Sequence, residues 1–302
     1  KKAARQNVGP EIINRIKNII NENNLELKDD LKIYWNSFPI AQLTAGKDYL
    51  NPDLKLIIDD MIESSDQLDL YKYLISWINK KIKDELTNLI ELKNLENENP
   101  HIRALAYRIY ESNGVVKREE VKNFISKLEQ NDRKILREKG VKFGRYHIFL
   151  FKLFKPKAVS LRTLLWKNFN QKYLKLDPPQ FGLNFVNRGK ELNRDFMLMC
   201  GFEKFDSYYV RIDILERLFL MIIDKNKNKI DKIKLVPEML NLLGCNKENF
   251  IKLMEKMNYK LSSEDQEVYF KYNLKKKFKK AEKNKIINDD NPFNILKEIR
   301  IK

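Results

Sequence analysis

Between Tyr71 and Ile90 the apolar residues Tyr71, Leu74, Ile75, Ile78, Ile82, Leu86, Leu89 and Ile90 recur every three to four positions. That period places them along one face of an α-helix. A stripe of this length is stable only when a second layer covers it, so the chain has to build a packed core. Its composition allows one: 43% of the 302 residues are hydrophobic and 11% aromatic, which excludes wholesale disorder. The length predicts about two domains. No apolar run reaches the ~18 residues of a membrane span, and Ile214–Ile223 is interrupted by charge. Cys200 and Cys245 are the only cysteines, and His101 and His147 the only histidines. A disulfide framework and a cysteine-rich zinc site are therefore excluded, and little is left for triad chemistry. The sequence opens Lys1-Lys2-Ala3-Ala4, without Met or a signal-peptide core. It reads as an intracellular, cytoplasmic piece with no membrane partner.

Pro10 and the spacing of Ile12, Ile16 and Ile19 predict a helix over 10–24. Short extended runs follow at Leu25–Lys28, Lys32–Trp35 and Phe38–Leu43, separated by Asp29-Asp30 and Asn36-Ser37, with a further strand at Leu54–Ile58. Helices are predicted from Ser65, over Pro100–Ser112, around Val121–Leu128 and over Asp132–Lys139. Val141–Leu150 reads as one strand, and Ala158–Asn168 as a helix with Leu161, Leu164, Leu165 and Trp166 buried. Pro178-Pro179, Gly182 and Gly189 predict a loop-rich linker. Residues 207–275 carry the clearest pattern. A helix with Leu215, Leu218, Phe219 and Ile222 inward is followed by a short helix from Pro237 and a third capped by Asn246, then by two extended runs. Three helices and a hairpin in that order predict a winged helix-turn-helix, with a small helical bundle as the alternative. No fixed-period repeat is visible.

The basic charge is concentrated. Residues 1–100 hold 14 basic and 17 acidic side chains, whereas 133–175 hold 13 basic residues and the single acid Glu138. Phe143, Tyr146, Phe149, Phe151, Phe154 and Trp166 are interleaved with that block. Cations mixed with stacking groups suit a nucleic-acid backbone; the alternatives are a solvated lysine face or a docking surface for the acidic first third. The candidate contacts are Lys142, Arg145, Lys155, Lys157 and Arg162 in this block, and Lys247, Asn249, Lys252 and Lys256 on the outer side of the third helix. Lys271 heads a run of eight lysines and one acid ending at Lys285. Glu248 and Glu255 oppose phosphate binding on the third helix. His147 reads as a packed histidine, Cys245 as a buried thiol and Trp35 and Trp166 as core anchors. Asp213 and Glu216 read as surface partners of Arg217.

Three segments carry a family resemblance. They are Gly140–His147 with Leu153-Phe154-Lys155-Pro156 and Leu161–Trp166, then Tyr34–Leu43, then Leu242-Leu243-Gly244-Cys245 through Tyr259. In pattern and order they resemble the C-terminal region of α-proteobacterial superfamily 2 DExH-type helicases, similar to the mitochondrial degradosome RNA helicase. The resemblance runs from about residue 25 to Asn291-Pro292-Phe293. It implies an ATP-dependent RNA helicase as the full protein, using ATP and Mg, with this chain as an accessory region that binds RNA or docks a protein partner in RNA processing. The motor is missing: Gly46-Lys47-Asp48 and Gly189-Lys190-Glu191 lack the phosphate-loop pattern.

The sequence therefore predicts a mostly helical α+β chain without catalytic or metal residues of its own. An N-terminal helix and small β region occupy 1–60, and a helical domain with one strand and the basic block 61–172. A linker spans 173–206, a winged-helix-like module 207–275 and a basic tail 276–302. The expected partner is RNA, or DNA, in a bacterial cytoplasm. A winged-helix DNA-binding regulator and a scaffold without nucleic acid are the competing functions.

Overall fold

A computed structural model describes residues 18–19, 24–57, 64–95, 98–187, 193–205, 208–225, 232–264 and 267–272. Of the helix expected over 10–24, Asn18 and Ile19 are described and helical; the tail over 276–302 lies outside the described residues. The fold is mixed α+β, with helices outweighing several small antiparallel sheets.

Strands β1 (Leu25–Leu27), β2 (Lys32–Trp35), β3 (Phe38–Asp48) and β4 (Asn51–Leu56) form an antiparallel meander in chain order. Asn36 and Ser37 both adopt positive φ, the geometry of the tight hairpin turn between β2 and β3. The Asp48 carboxylate closes the next turn by accepting from the Leu50 and Asn51 N–H groups. Ile33, Ala41, Leu43 and Leu54 point inward. Helix α1 (Ser64–Glu85) covers them through Leu70, Leu74, Ile78 and Ile82, followed by α2 (Thr87–Lys93). One continuous core runs from Ile19 to Leu165, so the boundary expected at residue 60 cuts through a single packed layer.

The next six elements are α3 (Pro100–Glu111), β5 (Val115–Lys117), α4 (Lys122–Ile125), α5 (Gln130–Glu138), β6 (Val141–Phe143) and β7 (His147–Leu150). Their sheet has the order β5-β7-β6. The single strand expected over 141–150 is thus a hairpin, turned at Gly144–Tyr146. Asn88 of α2 donates to the Lys139 carbonyl at the end of α5 (2.6 Å), tying this unit to the first layer. Helix α6 (Pro156–Phe169), with Pro at its first position, is buried nearly all round.

The expected linker holds structure. Strands β8 (Phe185–Asn187) and β9 (Phe202–Phe205) flank α7 (Arg194–Met199), and with β10 (Tyr208–Arg211) they form the sheet β8-β10-β9. Prolines and glycines punctuate this stretch, but Phe196, Met197, Met199 and Phe202 bury against Val159 and Trp166 of α6 and give it a core of its own. The chain then runs through α8 (Ile212–Lys225), β11 (Ile233–Lys234), α9 (Pro237–Leu243), α10 (Lys247–Lys256), β12 (Tyr259–Glu264) and β13 (Glu267–Tyr272), with sheet order β11-β13-β12. Leu215, Leu218, Phe219 and Ile222 of α8 meet Phe250, Leu253 and Met254 of α10 in one cluster, as the periodicity predicts. Asn246 caps α10 by accepting from the Asn249 N–H.

Arg162 overturns its assignment as a phosphate contact. It is completely buried on α6 and donates to the carbonyls of Asn113 (2.8 Å), Leu153 (3.2 Å) and Met199. Burial lowers its pKa to about 10, so it remains charged at neutral pH. The guanidinium fork thereby joins the loop after α3, the turn before α6 and the end of α7. Sequence counting could not separate it from its neighbours, because a helix facing several layers puts every residue type inside. Arg162→Ala should lower the unfolding free energy by roughly 3–5 kcal/mol, since three buried carbonyls lose their donors. Lys155→Ala and Lys157→Ala, both at exposed positions, should stay within about 0.5 kcal/mol. Chemical denaturation of the three variants measures this.

Candidate nucleic-acid interface

The sheet β5-β7-β6 meets α8 through the β6–β7 turn. Glu216 of α8 reaches that turn and accepts from three successive backbone N–H groups, Arg145 (2.5 Å), Tyr146 (2.9 Å) and His147 (2.9 Å). Gly144 is required by this approach: a Cβ there would lie 2.4 Å from the Glu216 carboxyl carbon and 2.6 Å from the His147 carbonyl oxygen. The His147 ring is buried, with Nε2 2.8 Å from Glu203 Oε2 on β9 and Nδ1 3.7 Å from Glu216 Oε1. Lys117 and Arg194 close the other side of Glu203 at 3.5 and 3.6 Å.

Burial alone would lower the His147 pKa, but the two carboxylates outweigh it and raise it above its ordinary 6.5. Burial would likewise raise both carboxylates. His147, with Lys117 and Arg194 for Glu203 and with backbone N–H groups for Glu216, holds both below the ordinary 4.5. The sequence reading of His147 as packed agrees with this burial, but its acidic partners come from distant segments. Glu216, expected as a surface partner of Arg217, is instead buried on the turn, while Asp213 is bound by Arg211 at 2.8 Å.

Beside this junction lies a cleft of about 650 Å³. Lys117, Arg118 and Lys122 line it from β5 to α4, Arg145 from the turn, Lys204 from β9 and Lys256 from the end of α10, with Glu119 and Glu203 as the acids among them. Arg118 donates to the Gly144 carbonyl at 2.7 Å, and the exposed Arg145 guanidinium lies 5.9 Å from the Tyr146 ring and 5.7 Å from the Tyr272 ring. Cations over aromatic rings beside an open groove can hold a phosphate backbone and leave a ring edge for a base.

The structure brings Arg145 and Lys256 together in this cleft, and sets Lys142 with Arg145 along a second groove, of about 740 Å³, against α8. Lys155 and Lys157 are exposed but line neither. On α10, Lys247, Lys252 and Lys256 are exposed, Asn249 is half-buried, and Glu248 accepts from Lys252 at 2.6 Å. Lys271 is exposed near the end of β13. Among the interleaved aromatics, Phe149 and Phe154 stack on each other inside, Trp166 stacks on Tyr173, and Tyr146 packs on Phe219; Phe151 stays exposed. Trp35 and Trp166 are core residues, and Cys245 is half-buried with its thiol pushed up to about 11 by burial. Sequence reasoning missed Lys117, Arg118 and Lys122. In Lys117-Arg118-Glu119-Glu120 the charges cancel on counting, and only folding points the cations into a common space.

Among the described residues no group of three or more His, Cys, Asp or Glu is arranged to hold a metal ion. Gly46-Lys47-Asp48 sits inside the β3–β4 hairpin, where a Cβ on Gly46 would meet the Asn51 carbonyl at 2.0 Å. That is no phosphate-wrapping loop ahead of a helix, so these residues do not fit ATP; Gly189-Lys190-Glu191 lies outside the described residues. No helix among the described residues is long and apolar enough to cross a membrane. No protein-family model, curated protein or solved structure matches the chain.

Two measurements test the junction. Glu216→Ala leaves three backbone donors at the junction without their acceptor and should lower the unfolding free energy by roughly 3–5 kcal/mol, with Glu216→Gln losing less because its amide oxygen still accepts. The pH dependence follows from the shifts. The raised His147 pKa contributes stability that is whole below 6.5 and lost as pH climbs through the folded value. The depressed Glu203 and Glu216 contribute stability that is present above 4.5 and lost as pH falls through theirs. The melting temperature of the parent should therefore exceed that of His147→Gln most between those two values, with the gap narrowing toward alkaline pH.

Proposed function

We propose that the chain binds double-stranded DNA, with residues 212–272 acting as a winged helix whose α10 enters the major groove. One observation carries this reading: the order helix, strand, helix, helix, hairpin with the sheet β11-β13-β12, in which the third helix is packed by its apolar face and turns Lys247, Lys252 and Lys256 outward. A helix ~10–12 Å across fits the ~12 Å major groove of B-DNA, whereas the major groove of duplex RNA is too deep and narrow to admit it. Glu248 neutralises part of Lys252, so Lys247 and Lys256 supply the phosphate contacts and Arg145 extends them along the cleft. With Glu248 and Glu255 on the same face, the contacts position the helix on the backbone more than they select a sequence.

A second reading, RNA binding in the accessory region of an ATP-dependent helicase, rests on the resemblance of the three sequence segments. The exposed Tyr272 ring beside the Arg145 guanidinium favours it, since exposed rings beside cations suit unpaired bases.

Fluorescence anisotropy with a labelled mixed-sequence duplex of about 30 bp and a single-stranded RNA of about the same length separates the two. The duplex should bind more tightly. Each lost phosphate contact removes about 0.9 from the slope of log affinity against log salt. Changing Lys247, Lys256 and Arg145 together to Gln should then flatten the duplex slope by roughly 2.7. Tighter binding of the RNA would favour the helicase reading, and an unchanged slope would remove α10 from the interface.

A further inference from the structure

We infer that residues 100–150 repeat the unit formed by residues 212–272, and that α5 is a second groove-entering helix, so that one chain grips duplex DNA at two places. The inference rests on the DNA-binding reading above and extends it to α5, none of whose residues is among the individual contacts read from the sequence.

The repeat lies in the topology. The order α3-β5-α4-α5-β6-β7 matches α8-β11-α9-α10-β12-β13 element for element. In each unit the strand after the first helix pairs antiparallel with the last strand of the hairpin rather than the first, giving β5-β7-β6 and β11-β13-β12. The side chains repeat as well. The first helix buries Ile102, Leu105, Ala106 and Ile109 in one unit and Leu215, Leu218, Phe219 and Ile222 in the other, with the same spacing of three, four and seven. Each third helix passes through one left-handed residue into its strand: Gly140 at φ 91° and Asn258 at φ 64°. The first strand residue is then buried in both, as Val141 and Tyr259. The sequence hides the repeat because the connection from first helix to strand is three residues long in one unit and seven in the other, which destroys any fixed period.

The exposed side chains of the two third helices carry the same net charge, two cations and one acid on α5 against three and two on α10. Asn131, Lys134 and Arg137 are exposed on it. Asp132 is buried and accepts from the Glu129 N–H in a capping box, so its charge is turned away from solvent. On α10 two exposed acids, Glu248 and Glu255, share the face with the lysines, whereas on α5 the exposed acid within the helix is Glu138. Duplex DNA is the occupant this charge fits, presented by the same element that presents α10 in the other unit. Two such helices in one chain make the second contact intramolecular, so a duplex long enough to reach both is held far more tightly than one that reaches a single helix.

The test uses the full chain and labelled mixed-sequence duplexes of about 12 and about 30 bp, the shorter being close to one helical turn. Lys134→Gln with Arg137→Gln should weaken binding of the longer duplex by about tenfold or more and flatten its salt slope by roughly 1.8. On the shorter duplex the loss should be no more than about twofold, because the other unit still binds it. Lys247→Gln with Lys256→Gln should behave alike, and the four changes together should weaken both duplexes. Arg137 lies over the Phe143 ring at 5.7 Å. If the double variant melts lower than the parent, Asn131→Ala with Lys134→Gln should show the same dependence on duplex length with a slope change of roughly 0.9, since one cation is removed. Loss from the α10 pair with none from the α5 pair would overturn the second site and leave the DNA-binding reading standing. Equal losses on both duplexes would show one shared site and overturn the inference too. No loss from either pair would remove both.

Discussion

A carboxylate taken out of water loses several kcal/mol of hydration unless hydrogen bonds replace it. Glu216 replaces it with three consecutive N–H groups of a turn in another part of the chain. Those donors point one way only because the turn at Gly144–Tyr146 presents successive amides to one side, a concave arrangement that favours an anion. Gly144 lets the carboxylate close in, and His147, bonded to Glu203, stands between the two carboxylates. The trio therefore joins β7, β9 and α8, one element from each of the first unit, the middle sheet and the second unit. The direction in which Arg145 leaves the turn, and with it the shape of the basic cleft, depends on that junction.

The basic block from 133 to 175 divides into distinct physical roles. Arg162 is an internal clamp on carbonyls, and Lys139 pairs with Glu91 at 3.6 Å on the surface. Arg133 donates to the Ile125 carbonyl while Lys134 and Arg137 of the same helix face outward. Arg145 lies over tyrosine rings at the cleft. Net charge is a property of composition, but its use is set residue by residue by what the backbone around each cation offers. Where carbonyls converge in a dry interior, an arginine fork satisfies them; where the surface is open, the same charge stays in water.

The proposed function follows from the same division. A winged helix can serve as a packing module as readily as a DNA reader. Here the outward lysines of α10, and the cleft that continues from its end toward the turn, support the proposal of DNA binding.

The sequence by itself determined the elements whose signal is local. The 3.6-residue stripes of α1, α8 and α10 predict helices and their buried faces, Asn36-Ser37 predicts a turn, and Asn246 predicts a cap. These rest on contacts within a few residues, which a linear string records. Tertiary structure alone decided the rest. It split 141–150 into a hairpin so that its amides could reach Glu216, 69 to 71 positions away. It drew Phe196 and Phe202 of the expected linker onto α6, buried Arg162, and gathered Lys117, Arg118, Arg145 and Lys256 around one cleft. A charged side chain looks the same in a sequence whether it faces water or a ring of carbonyls; the free energy that separates the two cases comes from groups far along the chain, and only the folded arrangement brings them within reach.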